Sequence, residues 1–196
     1  MIVTNRRALV ALVAALALTG CAKPPAEAIA AADAAQQAAV AAEAEQYAPE
    51  AMNAVAEAKA ALDAEIAAQG EKMSLTRSYK RAEELVAAYK AAAEQATTAA
   101  AAGKEQAMNE ATALIAEGKT ALEEATKVLA KAPRGKGSAA DLAAMKADLE
   151  AAGVSLTEAE ASLAAGTFLD AKSKATSAKE TIQRVVDAVT QAQGMR

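Results

Sequence analysis

Histidine and tryptophan are absent from this 196-residue chain, and cysteine and phenylalanine occur once each. Each shortage removes a kind of chemistry. Without an imidazole, the common His-containing zinc sites and the Ser–His or Cys–His nucleophile pairs cannot be assembled. Glycine and proline number nine and four, and the glycines stand apart from one another, so no glycine-rich phosphate loop is written here. Aromatic residues make up 2%. Bulky side chains supply most of the area that a compact core buries, at about 25 cal/mol per Å². This chain has few of them.

Alanine takes their place, at about a third of all residues. It has the highest helix propensity of any residue. Helices paired lengthwise through small side chains are therefore the expected architecture: an all-α fold of elongated antiparallel hairpins, a coiled-coil-like bundle of long alanine-rich helices. The formal net charge is −4, and the arginines Arg6 and Arg7 are the only charges ahead of Cys21, so the chain from Cys21 onward carries −6. That acidic balance argues against nucleic acid as a partner.

The lone cysteine stands in Leu18-Thr19-Gly20-Cys21, behind the positive segment Asn5-Arg6-Arg7 and the apolar run Ala8–Leu18. The run has signal-peptide length and falls short of the roughly 20 residues that a membrane span needs. The four residues resemble a bacterial lipobox. In that motif the cysteine receives a diacylglycerol and the peptide is cut before it, so Leu18, Thr19 and Gly20 become the signal-peptidase recognition residues and Cys21 the lipidated N-terminus. The alternative is an ordinary secretory peptide followed by an incidental cysteine. It leaves an unpaired thiol in an oxidising compartment, a liability that lipidation removes. Each buried methylene contributes about 0.8 kcal/mol, so two or three acyl chains anchor a protein stably. Ala22 after the cysteine, by resemblance to enterobacterial sorting, implies the outer membrane, facing the periplasm.

Past the expected signal peptide, residues 1–20, punctuation divides the chain into three. Residues 21–48 read as a lipidated tether and a weakly packed alanine helix. Residues 49–102 read as a first hairpin. Pro49 and Glu50 open its first helix, Gly70 is a candidate left-handed cap, and Leu75 opens the second helix. Tyr79, Ala82, Val86, Tyr89, Ala93, Ala96 and Ala100 follow Leu75 at coiled-coil spacing. One antiparallel register pairs Ile66 with Leu75, Leu62 with Tyr79, Val55 with Val86 and Met52 with Tyr89. Residues 103–196 read as a second hairpin plus a final helix. Met108, Ile115, Leu122 and Leu129 recur every seven residues, as do Leu142, Leu149, Leu156 and Leu163, with the loop Pro133-Arg134-Gly135-Lys136-Gly137-Ser138 between the two sets. Folding at that loop pairs Leu129 with Leu142, Leu122 with Leu149, Ile115 with Leu156 and Met108 with Leu163. Gly118 and Gly153 then mark either a close backbone crossing or tolerated kinks. Ser138/Asp141 and Thr167/Asp170 have capping-box spacing. The last seam runs through Phe168, Ala171, Ala175, Ala178, Ile182, Val185, Val189 and Ala192. Near Gly103 the seam shifts phase by one residue, which implies a stutter, a bend or a break.

A lipobox followed by Tyr47-Ala48-Pro49-Glu50, and later by Gly166-Thr167-Phe168-Leu169-Asp170-Ala171, resembles a group of small alanine-rich helical envelope lipoproteins of bacteria, classed as a domain of unknown function. The likeness covers Tyr47 to about Ala96 and, more loosely, 138–180. It implies an envelope location and helical hairpins, and it supplies no catalytic residue. A weaker likeness is to murein lipoprotein of the Braun type. That protein joins peptidoglycan through a terminal lysine, whereas this chain ends in Arg196, and a guanidinium is a poor nucleophile.

No catalytic, metal or cofactor site is expected. The neighbouring acids Asp63/Glu65 and Glu83/Glu84 read as solvated helix faces, and Tyr79 and Tyr89 as seam residues. Lys131, Arg134 and Lys136 at the second hairpin tip form a candidate contact for an anionic partner, and Lys172, Lys174, Lys179 and Arg184 a basic face on the last helix. The function these features imply is a non-enzymatic structural or adaptor lipoprotein, tethering membrane to peptidoglycan or to another envelope protein. A periplasmic carrier or chaperone for apolar ligands or clients is the alternative.

Overall fold

The computed structural model describes residues 23–132 and 138–194, and among these all regular structure is helical. The order is α1 (Ala26–Ala41), α2 (Ala44–Tyr47), α3 (Pro49–Gly70), a 3-10 turn (Ser74–Thr76), α4 (Lys80–Ala130), α5 (Ser138–Ala164) and α6 (Phe168–Gly194). The fold is all-α. The chain divides into two compact units, residues 1–101 and 102–196, with α4 contributing its first part to one and the remainder to the other.

In the first unit Pro49 occupies the opening turn of α3 with Glu50 beside it, where a fixed φ and a negative charge both suit the free N–H groups. The core holds Val55 and Leu62 from α3, and Tyr79, Ala82, Val86, Tyr89, Ala93, Ala96 and Ala100 from α4 and the residue before it. The stretch before α3, expected to pack weakly, adds Ala32, Ala39 and Ala44, each fully buried. A methyl group suffices there because the opposing seam is itself mostly alanine.

Two expectations for this unit fail. Leu75 does not open a helix or meet Ile66; it sits in the 3-10 turn, 97% exposed. Gly70 is not a left-handed cap; it is the last residue of α3, and Glu71 after it keeps right-handed helical angles. The turn is closed by side chains instead. The Arg77 guanidinium donates from Nη2 to the Gly70 carbonyl (2.8 Å) and from Nε to the Lys72 carbonyl (2.9 Å). Gln69, buried, accepts from the Ser78 N–H through Oε1 (3.1 Å) and donates to Glu65 (2.8 Å). Carbonyls that end one helix, and an amide near the start of the next, thus find partners.

The second unit is built from the latter part of α4 with α5 and α6. The α5–α6 turn is a Schellman motif. Gly166 takes φ +79°, the Thr167 N–H bonds the Ser162 carbonyl (3.0 Å) and the Gly166 N–H bonds the Leu163 carbonyl (3.1 Å). The Thr167/Asp170 capping box does not form: Thr167 Oγ1 donates back to the Ser162 carbonyl, and Asp170 bonds Ser162 and Lys174. The side chain of Ser138 lies outside the described residues. The core gathers Ile115 and Ala125 from α4, Leu149, Ala152, Leu156 and Ala159 from α5, and Ala175, Ala178, Ile182, Val185 and Val189 from α6. Leu122, Leu129, Leu142 and Leu163 pack against it half-buried.

Met108 is the exception among the expected heptad positions, at 38% exposed. α4 is one continuous helix through Gly103, and its buried face runs Ala100, Ala107, Ala111, Ile115. The phase shift is absorbed without a break, one residue away from Met108, because a helix of 3.6 residues per turn drifts against a strict seven-residue repeat.

The two glycines settle the open question about the crossing. A Cβ on Gly118 would lie 2.6 Å from Leu156 Cδ2, and 3.4 Å from the Lys179 stem. A Cβ on Gly153 would lie 3.3 Å from Leu122 Cδ2. Each glycine on one helix receives a leucine from the other. Both are therefore close-approach positions, and Gly118 is the tighter. Gly70, by contrast, has nothing within 4 Å of where a Cβ would stand.

Urea unfolding of three variants tests this assignment. Gly70→Ala is expected to raise stability by about 0.4–1 kcal/mol, since only chain entropy changes. Gly118→Ala is expected to lower it by about 1–3 kcal/mol despite the gain in propensity, because the buried Leu156 side chain must shift to admit the methyl group. Gly153→Ala should fall between them. Gly118→Ala as stabilising as Gly70→Ala would show that Leu156 does not fill that slot.

Candidate functional site

The residues named from sequence fare differently. Leu18, Thr19, Gly20, Cys21, Arg134 and Lys136 lie outside the described residues. Lys131 is exposed in the turn that closes α4, its N–H bonded to the Val128 carbonyl (3.1 Å).

The basic face expected on the last helix is spent within the unit. Lys172 pairs with Glu110 (2.5 Å), Lys179 with Glu117, and Lys174 with Asp170 (2.8 Å). Arg184 donates to Thr181 Oγ1 (2.9 Å). The first two pairs step by seven residues on both α4 and α6, so those helices run in the same direction. Lys119 pairs across to Glu160 on α5 (2.5 Å). The ammonium of Lys172 beside Glu110 holds its carboxyl below the usual range. A lysine face written every few residues in α6 is thus half of an inter-helix ladder rather than a surface for an anion.

The neighbouring acids are likewise engaged with near neighbours. Asp63 pairs with Lys59 (3.1 Å), Glu84 with Arg81 (2.7 Å), and Glu65 accepts from Gln69. Glu83 is exposed in the first turn of α4.

A serine, a lysine and an aspartate meet at the α5–α6 turn, a grouping that invites a catalytic reading. Ser162 Oγ donates to Asp170 Oδ2 (2.6 Å) and accepts from Lys174 Nζ (3.0 Å). The hydrogen bond from Lys174, then that from Ser162, holds the Asp170 carboxyl low, and Asp170 in turn pushes the Lys174 ammonium up. The three side chains thus clasp the α5–α6 turn, tying Ser162 of α5 to Asp170 and Lys174 of α6.

The first unit carries a cluster that sequence reasoning missed. Tyr89 is fully buried, and its hydroxyl lies within hydrogen-bond reach of Asp33 Oδ1 (3.0 Å) and of the Gln36 side-chain amide, both on α1. One phenol has one proton. The chemistry assigns it to Asp33, and Gln36 then turns its NH₂ to donate to the phenol oxygen. Lys59 Nζ stands 5.9 Å from the ring centre, a cation over the π face. Burial first, then the Asp33 bond and charge, push the Tyr89 hydroxyl up to about 12. A signal was present: Asp33 and Gln36 lie three apart, on one face of an alanine helix, and a tyrosine in a seam needs a partner for its hydroxyl.

On the second unit, Asp141, Ala144, Met145 and Asp148 of α5 and Arg184, Val185 and Ala188 of α6 line a groove of about 340 Å³. Its polar lining, two carboxylates and one guanidinium, is close to self-neutralising. Among the described residues no group of three His, Cys, Asp or Glu side chains is placed to hold a metal ion, and no buried side-chain donor or acceptor is left unpaired. No described helix is long and apolar enough to cross a membrane. Compared with known proteins, the chain matches no family model, no curated sequence and no solved structure.

The Tyr89 clasp is open to a pH test. A phenol whose value is raised on folding stabilises fully below about pH 10, its unfolded value, and that contribution is lost as pH rises towards 12. Ultraviolet titration of the folded protein should show a tyrosinate phase near pH 12 that is missing in Tyr89→Phe. The variant should also lose about 1 kcal/mol at neutral pH. A Tyr89→Phe protein with an unchanged titration curve would remove the clasp.

Proposed function

We propose that this chain is a lipid-anchored, non-enzymatic envelope protein that tethers the outer membrane to a periplasmic partner, with peptidoglycan the first candidate. The observation that carries the reading is Leu18-Thr19-Gly20-Cys21 with α1 beginning five residues after the cysteine, at Ala26. An acylated Cys21 would be joined to the helices through Ala22-Lys23-Pro24-Pro25 alone, a link short enough to hold the first unit against the membrane. Two observations support a mechanical role over a chemical one. No described buried polar side-chain atom is left without a partner, and Ser162, Lys174 and Asp170 are hydrogen-bonded to one another across the α5–α6 turn. Lys131, Arg134 and Lys136 remain the candidate contact for an anionic wall polymer, and membership of the alanine-rich envelope lipoproteins remains the family reading.

Two measurements test the proposal. Mass spectrometry of the mature N-terminal peptide should show Cys21 carrying acyl chains, and Cys21→Ser should move the protein from the membrane fraction to the soluble one. Residues 21–196 with Cys21→Ser should co-sediment with purified cell-wall sacculi at low salt and be released at moderate salt. Arg134→Ala with Lys136→Ala should abolish that binding. An unmodified Cys21 removes the anchor; no sedimentation at either salt removes the wall as a direct partner.

A further inference from the structure

The connection between α3 and α4 breaks the usual rule for a turn. Its two large apolar side chains point to water: Leu75 is 97% exposed and Met73 77%. The segment is nevertheless well tied. Thr76 bonds the Met73 carbonyl through both its N–H and its hydroxyl (2.9 Å each), and Arg77 bridges the Gly70 and Lys72 carbonyls. A turn this ordered holds the leucine and methionine outward instead of letting them fold back on the helices.

The charges around the tip oppose those of the protein as a whole. Lys72, Arg77, Lys80 and Arg81 fall within ten residues, and Lys72 and Lys80 are exposed, on a chain whose net charge is −4. Glu71 is the one acid among residues 71–82. Arg77 is spent on the turn and Arg81 on Glu84, which leaves two exposed apolar side chains flanked by the exposed Lys72 and Lys80; that pairing matches a surface that is apolar below and anionic above, which is a bilayer bearing acidic lipids.

The topology of the first unit brings the tip to the end where the chain enters. The connection from α1 to α3 reverses the chain once, and the turn at 71–79 reverses it again, so α1 and α4 run the same way. The bond from Tyr89 to Asp33 sets their level. Ala26 precedes Asp33 by seven residues and Lys80 precedes Tyr89 by nine, which puts both helix starts about 10–14 Å from that bond at 1.5 Å per residue.

We propose that the 71–79 turn is a second membrane contact, docking on the anionic lipid surface of the leaflet that carries the Cys21 anchor. Met73 and Leu75 enter the boundary between headgroups and acyl chains, while Lys72 and Lys80 face lipid phosphates. The location rests on the lipid-anchor reading above; the affinity of the turn for acidic lipid does not. One acyl anchor through a short link leaves a protein free to swivel, and a second contact at the same end fixes the tilt of α3 on the membrane.

The test uses residues 21–196 with Cys21→Ser, which keep every described helix and both cores but carry no lipid. A polarity-sensitive fluorophore is placed at the tip through Leu75→Cys, and vesicles of phosphatidylglycerol with phosphatidylethanolamine are compared with pure phosphatidylcholine. The expected result is a blue shift on the acidic vesicles alone, reversed by salt. In the unlabelled protein, Met73→Ser with Leu75→Ser should weaken partitioning at least tenfold, and Lys72→Gln with Lys80→Gln should weaken it and flatten its salt dependence. Val154→Ser, at an exposed apolar site on the second unit, should leave it unchanged. Circular dichroism should show intact helix throughout, since the altered side chains are exposed. No shift on acidic vesicles overturns the proposal, as does equal binding by the Met73/Leu75 variant. A shift produced only by envelope protein without lipid also overturns it and makes the tip a protein contact. Vesicle binding by a chain whose Cys21 proves unmodified in cells would sustain the lipid contact and refute the anchor.

Discussion

Helices that meet through alanine gain little from any one contact, because a methyl group buries little area. They compensate by approaching closely along a great length, and that closeness depends on nothing larger standing in the seam. The rest of this structure follows from that constraint. Ala82, Ala93, Ala96 and Ala100 of α4 are buried almost completely, as are Ala171, Ala175 and Ala178 of α6. Where a leucine does enter the crossing, the facing residue must shrink further: Leu156 occupies the place where Gly118 would carry a Cβ, and Leu122 lies against Gly153. Such an interface is intolerant at a few positions and indifferent at the others.

A seam of alanines is also nearly the same at every register, so something else must choose one. Polar bonds between helices do so here. Tyr89 locks α1 to α4 through Asp33, and the pairs Glu110–Lys172, Glu117–Lys179 and Lys119–Glu160 index α4 against α6 and α5. Exposed ion pairs contribute little to stability singly, often under 1 kcal/mol. Their value lies in specificity, because a slip of one turn would part Glu110 from Lys172 and Glu117 from Lys179 and set each opposite an uncharged residue.

Much of the architecture was legible before any coordinates. Every large seam residue of α6 from Ile182 to Val189 is buried as its spacing demanded, and so are Val55, Leu62, Val86 and Tyr89 in the first unit. Periodicity failed where local bonding outcompeted it. Leu75 stands at a correct heptad distance from Tyr79, yet the Arg77 and Thr76 bonds close a 3-10 turn and carry it into solvent. Met108 has correct spacing to Ile115, yet drift along an unbroken α4 turns Ala107 and Ala111 inward instead. Lys172 and Lys179 of α6 looked like part of a surface in one dimension because the acids that claim them lie 62 residues away.

By itself the sequence determined the class of structure and its punctuation. Alanine content, heptad spacing and isolated proline and glycine are local properties, and they dictate helices with narrow apolar seams and turns near 70 and 166. The Leu18–Cys21 stretch, on which the anchor proposal rests, is likewise a local feature of the chain. Tertiary structure alone decided which charges are spent and which are free, which glycine is a slot and which is open, and that a leucine and a methionine face water at the 71–79 turn. Those outcomes depend on what lies across a helix interface, and residues separated by dozens of positions acquire neighbours only when the chain packs.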